Sequence, residues 1–218
     1  MFRRIEPPTR AQSQVLVGVI LAGALGLLAG GRGGPVGTLA WLCLAAPACG
    51  ALAGAHGLRL WPYGLGIPGA WFLFLVWADL AADQDLPTPV WGAFVLGGFF
   101  TLGLAAGRLF PERAWALAGL LLLAMLTASA LCVQAGLGRR SWAADHPGVA
   151  RALVEVSPLV IATESCGLEW THAQPQMYSL AGVEWFQRRP YRGPLAGTTL
   201  LLVGCVSALV ASRRGAPR

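Results

Sequence analysis

The chain has 218 residues, of which 56% are hydrophobic and only 12% charged, with a mean hydropathy of +0.60. A water-soluble domain carries about 25% charged residues, so the composition is that of a polytopic membrane protein. The formal net charge of +6 comes from sixteen arginines and no lysine; they are dispersed and gather at the ends of apolar segments, which sets topology and does not make a nucleic-acid surface.

Apolar runs near the ~20 residues that cross a hydrocarbon core of about 30 Å make up most of the length. They predict a single all-α transmembrane bundle over 1–218, with spans at about 12–31, 36–56, 66–83, 90–108, 114–136 and 195–212. Met1-Phe2-Arg3-Arg4 leads into a first run that no small-residue cleavage site closes, so that run is expected to be retained as a span. Gly31-Arg32-Gly33-Gly34-Pro35 predicts a tight reversal between the first two spans. The link 56–66 holds Arg59, Trp61 and Tyr63, and the link before the fourth span, Asp83-Gln84-Asp85-Leu86-Pro87-Thr88-Pro89, has no basic residue. Arg108 and Arg113 bracket the turn before the fifth.

Charge then orients the spans. With the N-terminus in the cytoplasm, the inner segments collect Arg3, Arg4, Arg10, Arg59, Arg108, Arg113, Arg213, Arg214 and Arg218, and the short outer turns hold only Arg32. Long loops translocate with weaker regard for charge, so the loop at 137–194 is assigned outside despite its six arginines. Both termini are expected in the cytoplasm of a bacterial cytoplasmic membrane.

Small residues recur every four positions: Gly18, Ala22, Gly26 and Gly30 in the first span, Ala46, Gly50 and Gly54 in the second, Gly103 and Gly107 in the fourth. Such stripes let helix backbones approach closely where lipid removes the hydrophobic drive. Packing within the bundle is the expected use, with homodimerisation or docking on another subunit the alternative. Pro47 is expected to kink the second span.

Ionisable residues within the spans are few. Asp79 and Asp83 share a helical face at the end of the third span; they read as interfacial carboxylates, with a proton or cation site as the sharper alternative. Neither a zinc-protease HExxH, nor a GxSxG elbow, nor a phosphate-binding GK[ST] loop occurs, so any nucleotide hydrolysis belongs to a partner chain and no cofactor is expected.

The loop at 137–194 holds five of the ten acidic residues. Asp145 and Pro147 predict one helix start, and Ser157-Pro158 a second that ends at Gly167. Both helices are short and apolar, flanked by Trp142, Trp170, Tyr178, Trp185 and Tyr191, so they are expected to lie at the interface or dip back as a re-entrant cap. Glu164, Cys166, Glu169 and His172 are the densest cluster of possible metal ligands, and Cys166 with His172 the one nucleophile–base spacing; a hydrogen-bonded loop without metal is the plainer reading. Cys166 stands alone there as an unbridged cysteine. Arg188, Arg189 and Arg192 can pair with lipid phosphates or other anions.

Six spans, cytoplasmic ends, a helical outer element between the last two spans, the Ser157-Pro158-Leu159 step and a final helix closing on Ser212-Arg213-Arg214 resemble the permease subunits of export-type ATP-binding-cassette transporters. The resemblance implies a non-enzymatic membrane subunit working as a homodimer or hetero-oligomer with a cytoplasmic ATPase. Its contact turn would be 56–66, with Arg59, Trp61 and Tyr63 exposed. An integral-membrane enzyme or metal-binding subunit with its site in the outer loop is the second reading. An accessory subunit docking through the glycine stripes is the third.

Overall fold

The computed structural model describes residues 9–82, 89–137, 146, 149, 152, 157–167 and 193–214. Among them every element is helical: α1 (Arg10–Ala55), a π-helical turn (Leu60–Gly64), α2 (Leu65–Ala82), α3 (Pro89–Leu109), a 3-10 turn (Pro111–Arg113), α4 (Ala114–Leu137), α5 (Pro158–Ser165) and α6 (Gly193–Arg214). Three stretches are long and apolar enough to cross a membrane, Val36–Ala55, Val90–Leu109 and Pro111–Ala130. Arg10–Gly26, Leu65–Trp77 and Gly197–Arg213 are apolar but shorter. At 1.5 Å per residue each of the three long stretches reaches about 30 Å, so among the described residues three stretches, where six spans were expected, have the length and composition of a crossing.

Local chemistry accounts for the helix ends. Thr9 and Gln12 form a reciprocal capping box, Gln12 N donating to Thr9 Oγ1 at 3.3 Å and Thr9 N to Gln12 Oε1 at 3.0 Å. At the other end Gly57 N bonds Gly54 O and Leu58 N bonds Ala53 O, both at 3.0 Å. This closure needs a left-handed residue, and Gly57 takes φ 71° without a Cβ penalty. Pro89 and Pro158 open α3 and α5, where a missing N–H costs nothing.

The backbone of α1 is helical for 46 residues, and a straight helix of that length would run roughly 69 Å. Its two ends nevertheless meet: Gln12 Nε2 donates to His56 O at 3.1 Å. The element therefore doubles back, between Gly26 and Trp41. A Cβ on Gly26 would lie 2.8 Å from Trp41, and Trp41 Nε1 donates to Ala22 O at 2.9 Å. The expected reversal falls in this interval, but the backbone stays helical there instead of breaking at Gly31–Pro35. A second correction concerns the first glycine stripe, which is not one contact face. Gly18 has nothing within 4 Å, Gly26 meets the returning arm of its own helix, and Gly23, outside the stripe, packs on Trp71. Ala22 packs against the core, and the surroundings of Gly30 lie outside the described residues.

The centre of the bundle is α3, which makes its most extensive contacts with α6 and α1. Both use bare backbone. A Cβ on Gly50 or Gly54 would overlap the Phe100 or Leu104 carbonyl oxygen, and one on Gly103 or Gly107 would overlap that of Pro47 or Ala51. The two pairs are thus reciprocal, each helix lending its smooth face to the other's carbonyls. On the other side of α3 a Cβ on Gly98 would fall 2.8 Å from the Leu200 carbonyl carbon, and one on Gly204 2.8 Å from Gly98 O. Thr101, fully buried at that crossing, returns its hydroxyl to Gly97 O at 2.7 Å, so it adds no unsatisfied donor.

Arg108 ties three elements at one end. Its Nη2 donates to Leu58 O at 2.7 Å and its Nη1 to Ala208 O at 3.0 Å and to Ser212 Oγ. The sequence marks Arg108 as a topology charge; the structure uses it as a staple between α3, α6 and the segment that follows α1. By contrast α4 stands apart, its spanning window 11% buried against 61% for Val36–Ala55 and Val90–Leu109.

Gly103→Leu is expected to lower stability by about 3 kcal/mol through overpacking, while Gly119→Leu, which meets nothing within 4 Å, leaves it unchanged. Thermal unfolding in mild detergent checks both. Arg108→Gln, which leaves carbonyls unpaired, is expected to cost about 2 kcal/mol in the same assay.

Candidate functional site

At the end opposite Arg108 the short helix α5 seats among α1, α3, α6 and α4. Ser157 is its N-cap and Pro158 its first residue. Gly167, at φ 78°, follows Cys166 as the left-handed residue that closes it. Pro158, Val160, Ala162, Thr163 and Ser165 are buried, so nearly the whole of this short helix is enclosed. A polar helix could not sit there unless its side chains bonded locally. Thr163 Oγ1 donates to Leu159 O at 2.9 Å and Ser165 Oγ to Ala162 O at 2.7 Å, which meets that requirement.

This seat brings Cys166 to the start of α3. A Cβ on Gly92 would lie 2.7 Å from Cys166 Sγ and 3.5 Å from Leu39 Cδ1, so the glycine leaves room for the sulfur. Cys43, one turn beyond Leu39, is fully buried in the same cluster, and Asp79, half-buried, acts electrostatically on Cys166. The expectation of a cysteine standing in a polar loop is thus corrected: α5 carries Cys166 into the core, at 0% exposure. Burial pushes its thiol up to about 12, against the contrary effects of the Gly92 backbone and Ser165 and with a further upward push from Asp79. At neutral pH the sulfur is a protonated thiol and a poor nucleophile. The neutral form contributes stability in full below the unfolded value near 9 and loses it as pH rises from there towards 12.

Trp71 closes the cluster from α2. It is fully buried, its ring edge-on to Phe100 at 5.9 Å and 88°, and its Nε1 lies against Gly23 with no hydrogen-bond partner. Ser157 Oγ is likewise buried without a partner.

The remaining candidates divide by position. Glu164 is half-buried on α5 beside Cys166, while Glu169 and His172 lie outside the described residues, as do Asp83, Arg188, Arg189 and Arg192. Among the described residues no three His, Cys, Asp or Glu side chains group to hold a metal. At the Arg108 end Arg59 is exposed, but Tyr63 is half-buried and packed against the core. Within the π-helical turn Tyr63 packs inward, so the expectation of an exposed Tyr63 is corrected; the Trp61 side chain lies outside the described residues. Ala46, Gly50, Gly54, Gly103 and Gly107 are all buried at the α1–α3 crossing. Sequence reading missed Cys43 and Gly92 as neighbours of Cys166, and no local spacing signals them. It also missed the α3–α6 crossing, although Gly97-Gly98 and the pair Gly197 and Gly204 were visible signals for it.

No protein-family model, curated protein or solved structure matches the chain.

In a variant with its other cysteines replaced, alkylation of Cys166 by a small maleimide is expected to run at least about 100-fold below a free thiol. Its rate is expected to keep rising with pH beyond 9, where that of a free thiol levels off, and mass spectrometry of the labelled protein reads both.

Proposed function

We propose that the chain is a six-span membrane subunit of a transporter, of the export-type permease kind, energised by a separate ATPase chain. In this reading Arg10–Gly26, Leu65–Trp77 and Gly197–Arg213 complete three further crossings together with flanking residues. Both termini then lie in the cytoplasm of a bacterial cytoplasmic membrane.

The observation that carries the reading is α5, a buried helix between the fifth and sixth apolar helices, seated at one end of the bundle. A cap in that place closes one mouth of a bundle while the opposite end stays available to a partner. Charge supports the orientation: exposed Arg10, Arg59, Arg113 and Arg213 share the end away from α5, as the excess of cytoplasmic arginine requires. Arg59 stands just before the π-helical turn between α1 and α2, where the ATPase would dock. The chain itself supplies no nucleotide-binding loop, so its role is conduction and energy transfer.

Solubilised from native membranes, the chain is expected to co-purify in stoichiometric amount with a nucleotide-binding chain. Arg59→Glu should weaken that association by about tenfold, as a charge reversal at a contact does. A cysteine placed at position 59 should label only after the membrane is permeabilised. A chain that purifies alone and supports no ATP-dependent solute movement in vesicles overturns the reading.

A further inference from the structure

The Arg108 end carries a second surface that the transport reading leaves unused. Between α3 and α4 the 3-10 turn Pro111–Arg113 has no buried residue. Leu109, Phe110 and Trp115 beside it are 47%, 57% and 75% exposed. Arg113 is exposed between them. Exposed Arg10 and Arg213 reach the same end, because Gln12 bonds His56 while Arg108 bonds both Leu58 and Ser212. Among the described residues there, the only carboxylate is Glu112.

Large aromatic surface and an excess of guanidinium over carboxylate charge at one end are a poor match to bulk water, and a good one to the headgroup layer of a bilayer. There an indole settles at the polar–apolar boundary and an arginine binds phosphate through two parallel hydrogen bonds. We propose that the α3–α4 turn is a binding site for anionic phospholipid: Arg113 takes the phosphate, Arg10 and Arg213 add attraction, and Phe110 and Trp115 sit at the acyl boundary. The exposed apolar face of α4 continues from Trp115 through Leu120 and Leu123, which gives the acyl chains a path along the helix. An acidic protein surface would satisfy the arginines but leave that path bare, so the occupant is a lipid. The site rests on insertion of the chain in a bilayer and is independent of whether it transports.

The test uses the full chain reconstituted in phosphatidylcholine, with spin-labelled phosphatidylglycerol or spin-labelled phosphatidylcholine as probe. The motionally restricted fraction is expected to favour phosphatidylglycerol by at least about threefold, given the attraction of each arginine near an anionic surface. Arg113→Gln combined with Arg213→Gln should bring the ratio close to one, and high salt should lower it. Arg32→Gln, in the bend of α1 at the opposite end, should leave it unchanged. Equal restriction of both lipids by the unmodified chain, or an unchanged ratio in the double variant, overturns the proposal while leaving insertion intact. Absence of any restricted lipid overturns both. A photo-crosslinker at position 113 that captures a protein in native membranes and no lipid also overturns it, assigning the turn to a protein partner.

Discussion

Backbone-to-backbone approach at α3 is the constraint on which the rest depends. In a bilayer the spans gain nothing by hiding apolar side chains from lipid, so helices associate where their surfaces fit most closely. The Gly50–Gly54 and Gly103–Gly107 pairs bring α1 onto the carbonyls of α3, and Gly98 and Gly204 do the same for α6. Every other element is placed relative to this three-helix stack. The stack also explains why α3 tolerates Thr101 at its centre: the hydroxyl is spent on its own helix and asks nothing of the neighbours.

The two ends of the stack are finished by different chemistry. At one end a single guanidinium gathers the Leu58 and Ala208 carbonyls and the Ser212 hydroxyl, which ties α6 and the segment after α1 to the end of α3. At the other, α5 inserts with the Thr163 and Ser165 hydroxyls bonded back to its own turn, and the Cys166 sulfur is accommodated because Gly92 has no side chain. An arginine-rich end and an end closed by a buried helix give the bundle a polarity. The α4 helix packs at the edge of this arrangement, mainly on α1, and leaves most of its apolar surface exposed.

Much of this was legible because helices in lipid obey few rules. The ends of α2, α3 and α4 follow from apolar length and from Pro and Gly at their borders, and the α5 limits follow from Ser157-Pro158 and Gly167. The α1–α3 crossing was visible as paired stripes, since four-residue spacing puts small residues on one face whatever the partner. In the first stripe Ala22 and Gly26 pack within the bundle while Gly18 meets nothing, because periodicity says which residues share a side, and not whether another helix passes there. Tyr63 was placed outside because a contact turn between spans was expected at 56–66; the turn is instead helical from Leu60 and packs Tyr63 against the core.

By itself the sequence determined the class: apolar runs too long and too poorly charged for water, arginines weighted to one side, and glycines where backbones must touch. Those are properties of single segments, and single segments are what a sequence describes. Only the tertiary structure decided that Cys166 is a buried thiol instead of a loop nucleophile, that Arg108 is a staple, and that Trp71 packs on Gly23. Each depends on residues far apart in the chain meeting within a few ångströms, and the choice among such meetings is made by the packing of all the helices together.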